Sequence, residues 1–148
     1  MVSSLIKQQI IMFIVMFLVG ILFNPMNVLA YRVSDLYSSL TLFYSGLLMA
    51  SNMMWAHEIV HYLSRGGFNK IVFGIGIILS ISISIILLRN QLFLTDNQWL
   101  RRMIGHHSTA LTTSNIRLKN SDNVNVKNLA KNIIYTQENE IDYMKAIL

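Results

Sequence analysis

The chain has 148 residues, 53% hydrophobic and only 13% charged, against a usual charged share of ~25% in soluble domains. That balance leaves no room for a large water-soluble core and points to membrane segments. The net charge of +5 is scattered with no basic cluster among aromatics, which argues against nucleic acid as a partner, and the absence of cysteine excludes disulfides and thiolate metal sites.

Residues 5–23 form the first apolar run, interrupted only by Lys7, Gln8 and Gln9 and stopped by Asn24-Pro25. Its length suits a membrane span. A cleaved signal peptide is the alternative, with Lys7 as the basic region and Val28-Leu29-Ala30 as the cleavage site. Residues 31–39 read as a short polar link carrying Arg32 and Asp35. Residues 40–63 read as a second span, in which Ser45, Gly46, Ala50 and Ser51 allow close helix approach. A tight loop from Arg65 to Lys70 leads to a third span over 71–88, ended by Arg89 and Asn90. Lys7, Arg65 and Lys70 then share one membrane face, and Arg32 and Arg89 the other. The positive-inside rule places the N-terminus inside and the C-terminal part on the extracytoplasmic side.

One motif lies near the end of the second span. His57-Glu58-Ile59-Val60-His61 fits the His-Glu-x-x-His pattern, in which two imidazoles face one zinc ion and the carboxylate polarises a water. An intramembrane zinc metalloprotease is therefore an alternative. It lacks a third ligand, since residues 71–88 contain no Asp, Glu or His. Met49, Met53, His57 and His61 recur at four-residue steps, a ladder of thioethers and imidazoles suited to copper(I) or, more plainly, a packing stripe in which Met fills gaps.

Residues 95–148 read as a water-facing domain, separate from a membrane domain over 1–94. Thr95 and Asp96 offer an N-cap. Beyond them Trp99, Leu100, Met103, Ile104, His107, Ala110 and Leu111 share one helix face. After the turn at Asn120-Ser-Asp-Asn, a second helix carries Val126, Leu129, Ala130, Ile133, Ile141, Met144 and Leu148 on its apolar stripe, together with Gln137 and Glu140. Buried polar groups need partners, and the imidazoles of the first helix supply them. Adjacent helical residues point about 100° apart, so His107 faces inward and His106 faces water. An antiparallel hairpin brings Glu140 and Met144 beside Met103 and His107. That constellation reads either as a metal site or as a hydrogen-bonded His–Glu pair.

Met103-Ile-Gly-His-His-Ser-Thr-Ala110, followed by Leu129-Ala-Lys-Asn-Ile-Ile-Tyr-Thr-Gln-Glu-Asn-Glu-Ile-Asp-Tyr-Met144, resembles the family called domain of unknown function 305 over roughly residues 97–148. The front end resembles membrane-anchored members more loosely. The resemblance implies a ferritin-like helical bundle and copper binding through Met and His. Gly105 stands where Pro is usual, and Thr113 where many members carry Met, which removes a soft ligand. The expected architecture is all-α: three transmembrane helices, then a hairpin that completes a four-helix bundle in a homodimer. The expected function is membrane-anchored metal binding without enzymatic activity. Its ligands are His107, Met103, Glu140, Met144 and His106, with Met53, His57 and His61 as a second set, and copper or alternatively zinc as the metal. A structural, oligomerising membrane protein without metal is the competing reading.

Overall fold

The computed structural model describes residues 2–148, with side chains from Ile6 onward. Every regular element among them is helical: α1 (Val2–Leu22), α2 (Pro25–Val28), a 3-10 turn (Val33–Asp35), α3 (Leu40–Arg65), α4 (Lys70–Ser82), a π-helical continuation (Ile83–Arg89), α5 (Asp96–Asn120) and α6 (Val124–Ile147). The all-α expectation holds. The chain folds as two compact units, one containing residues up to 22 and 41–93, the other containing 23–40 and 94–148. Residues 23–40, which read as a link, thus belong to the same unit as the C-terminal hairpin.

In the first unit α3 is the central helix, and small residues set its contacts. Any Cβ on Gly20 of α1 would lie 2.9 Å from Gly46 Cα of α3. On the α4 side, a Cβ on Gly76 would lie 2.9 Å from the backbone nitrogen of Trp55. Backbones this close gain dispersion contacts that larger residues would prevent. Ser80 and Ser51 donate back to carbonyls of their own helices at 2.8 Å, which satisfies their hydroxyls. Tyr44 Oη donates to Leu92 O at 2.9 Å and ties down the loop after the π-helical turns.

Among the described residues, two segments are long and apolar enough to cross a membrane, Ile6–Val28 and Lys70–Arg89. The first lies near the N-terminus, where a signal sequence has the same character. The expected set of three spans is thereby reduced to two candidates. Helix α3 has the length, at 26 residues, but Asn52, His57, Glu58 and His61 dilute its hydropathy. Its buried carboxylate, Glu58, finds partners in Gln9 of α1 and in Asn69 N, just before α4.

The second unit is an antiparallel hairpin with a strap across it. Thr95 caps α5 by accepting from Gln98 N, and Asn123 caps α6 by accepting from Asn125 N and Val126 N. Such caps satisfy amides that the first turn leaves without partners. Leu100, Ile104, Leu111, Ile141 and Met144 form the buried core, with Tyr37 of the strap, Met103, Ile134 and Leu148 packed against it. Three expected core residues are exposed instead: Trp99 at 45%, Val126 at 36% and Leu129 at 59%. One hairpin and a thin strap bury a stripe narrower than the periodicity marks out.

Candidate functional site

The hairpin brings His107 and Glu140 together. His107 Nε2 lies 2.7 Å from Glu140 Oε2, and its Nδ1 lies 2.8 Å from Met103 O. A carbonyl oxygen only accepts, so Nδ1 carries a hydrogen and donates it. Both ring nitrogens are thus engaged. The His107 side chain is 10% exposed and that of Glu140 49%, so the carboxylate sits at the hairpin's edge with Gln137 Nε2 at 3.5 Å. His106 is exposed on the neighbouring face, as its position on the helix dictates. Met144 is buried in the apolar core, and Met103 packs against that core.

His107 Nδ1 donates to Met103 O, as the far nitrogen of a metal-ligating histidine commonly does. Its Nε2, the nitrogen left for copper, is taken up by the Glu140 carboxylate at 2.7 Å, so as arranged the ring offers no free lone pair to the site that the family resemblance implies. Among the described residues, no three His, Asp or Glu side chains gather as a metal-ligand set. The second expected set is divided: His57 and His61 line the cavity described below, whereas Met53 is not among its lining residues.

A second polar constellation went unread in the sequence. Asp35 of the strap is fully buried, at 0% exposure. Ser108 Oγ donates to Asp35 Oδ2 at 2.7 Å and accepts from Tyr31 N at 2.8 Å. Lys145 Nζ of α6 pairs with Asp35 Oδ1. One hydroxyl therefore joins strap backbone to strap carboxylate, and one ammonium neutralises the buried charge. Around this core, Leu40 N donates to Gln98 Oε1 at 2.7 Å, and Arg32 pairs with Glu138 at 2.9 Å on the surface. Burial lowers the Arg102 guanidinium from its usual value, though an arginine stays charged at neutral pH. The sequence signal for the strap was the pair Arg32 and Asp35 in a short polar link between apolar runs.

The first unit holds a cavity of about 780 Å³ between the start of α1, the end of α3 and the loop into α4. His57, Glu58, His61, Gln9 and Asn69 are among its lining residues. Glu58 is 5% exposed and accepts from Gln9 Nε2 at 3.2 Å and from Asn69 N at 2.9 Å. His61 Nδ1 lies 2.8 Å from Gly67 O.

Against known proteins, the family described as Domain of unknown function (DUF305) matches residues 88–148. An uncharacterized protein of Acanthamoeba polyphaga mimivirus is 35% identical over 144 residues, which cover 94% of this chain and 90% of the relative. The chain belongs to the DUF305 family. The likeness to the viral protein extends over nearly all of both chains, so it takes in the strap and the first unit as well as the DUF305 match itself. No solved structure matches this DUF305 protein.

Proposed function

We propose that this DUF305 protein is a membrane-anchored helical scaffold whose C-terminal hairpin is a closed structural module rather than a metal centre. The observation that carries this reading is the closure of His107: both nitrogens are bonded inside the hairpin. A buried polar pair of this kind fixes helix register. The apolar segments Ile6–Val28 and Lys70–Arg89 supply the anchor, and α3, enclosed by α1 and α4, crosses with them.

Connectivity supports the topology. Residues 23–40 and 94–148 bond to one another within one unit, so the chain between them leaves and returns on the same face of the bilayer. Helices α3 and α4 provide that pair of crossings. The scaffold then stands on the extracytoplasmic side, and the exposed Leu129 and Tyr143 of α6 form the face on which a second copy completes a four-helix bundle. Peptidase chemistry at His57-Glu58-Ile59-Val60-His61 is not part of this reading, because both Glu58 oxygens already accept hydrogen bonds and no third ligand is at hand.

Metal removal tests the proposal. Treating purified protein with a copper(I) chelator should leave its thermal unfolding midpoint unchanged, while His107→Ala should lower it. A chelator-induced drop that copper reverses, and that His107→Ala abolishes, would replace the scaffold reading with a metal centre.

A further inference from the structure

The geometry points to a divalent metal site in the cavity of the first unit, with His57 and His61 as imidazole ligands and the Gln9 side-chain oxygen as a third donor. His61 is prepared for this role. Its Nδ1 lies 2.8 Å from Gly67 O, and since a carbonyl only accepts, Nδ1 holds the hydrogen and Nε2 keeps its lone pair. Metal-ligating histidines characteristically have their second nitrogen fixed in this way.

Gly67 makes that contact possible, because a Cβ there would lie 2.7 Å from His61 Cε1. His57 stands one helical turn earlier, its ring centroid 6.2 Å from that of His61 and tilted by 31°. Imidazoles at i and i+4 of one helix face can share one ion through bonds of ~2.0–2.1 Å. His57 Nδ1 is buried with no hydrogen-bond partner, 3.9 Å from Glu58 Oε1. The ring is therefore not committed elsewhere, unlike that of His107.

Gln9 supplies the other unsatisfied group. Its Nε2 is held by Glu58 at 3.2 Å, which fixes the amide, and its Oε1 is buried without a partner. Native structures rarely leave such an oxygen unpaired, and a bound cation would satisfy it. Glu58, anchored in turn by Asn69 N, acts as a positioning residue for Gln9 rather than as a ligand. Two neutral imidazoles, an amide oxygen and water suit borderline ions such as zinc, nickel or copper(II). Copper(I) is disfavoured because no thioether lines the cavity.

The test uses the full chain in detergent, titrated with zinc by equilibrium dialysis and with copper(II) by electron paramagnetic resonance, which reports nitrogen ligands. One ion per chain should bind, with two imidazole nitrogens in the copper(II) spectrum. His57→Ala and His61→Ala should each weaken binding at least ten-fold. Glu58→Gln should weaken it about 10–100-fold, as loss of an orienting partner does, and Gly67→Ala should weaken it by displacing the His61 ring. His107→Ala should bind as the wild type does. Circular dichroism confirms that each variant is folded, and His61→Gln serves if His61→Ala is not. Absence of binding by the folded wild type, or binding indifferent to His57 and His61, would overturn the proposal. Loss confined to His107→Ala would overturn it as well, and would separately place the metal in the hairpin.

Discussion

Asp35 is the residue on which the second unit depends most. It is a buried carboxylate whose two oxygens are taken by Ser108 and Lys145, and removing one member of a buried ion pair costs about 3–5 kcal/mol because the other charge is left unpaired. Lys145→Met should therefore destabilise the unit by about that amount in chemical denaturation. Ser108→Ala should cost about 1–3 kcal/mol, since Tyr31 N and Asp35 each lose a partner. By contrast Arg32→Ala, at a pair exposed 41% on both sides, should cost no more than ~1 kcal/mol. A Lys145→Met variant as stable as the wild type would show that the pair is incidental. The His107–Glu140 contact was legible in the sequence because both residues lie on stripes that one hairpin must face together. The Asp35 network was not, since its bonds join residues 73 and 110 positions apart, and no periodicity relates positions so distant.

The stop at Asn24-Pro25 after α1 and the cap at Thr95 before α5 were legible in the sequence, whereas α2 and the Asn69 and Asn123 caps of α4 and α6 emerge only in the fold. The small residues of α3 were read as contact points, but their partners required the structure. Gly46 faces α1, where a Cβ would lie 2.8 Å from Ile21 Cγ1 and 3.0 Å from Phe17 O. Gly46→Val should destabilise the first unit by about 1–3 kcal/mol, the usual penalty for overpacking. Gly74→Ala is the matched control, since nothing lies within 4 Å of its Cβ position. It should be neutral, or stabilising by up to ~1 kcal/mol through helix propensity. Reversible unfolding in mixed detergent micelles compares the two, and equal effects would contradict the assignment of Gly46 to the α1–α3 contact. The apolar stripe of α6 misled for an equally physical reason. Periodicity marks every residue that avoids water, including Leu129, whether its cover comes from the same chain or from another copy.

For the whole molecule, the proposed topology puts the strap and the hairpin on one side of the membrane, with α3 and α4 as the crossing pair between them. The absence of cysteine allows single cysteines to be introduced without background at exposed positions: Val33 in the strap, Tyr135 in the hairpin and Leu63 near the end of α3, which are 84%, 73% and 77% exposed. Labelling intact cells with a membrane-impermeant maleimide should modify Val33→Cys and Tyr135→Cys and leave Leu63→Cys unmodified until the cells are opened. Opposite behaviour of Val33→Cys and Tyr135→Cys, or equal labelling of all three, would contradict the account.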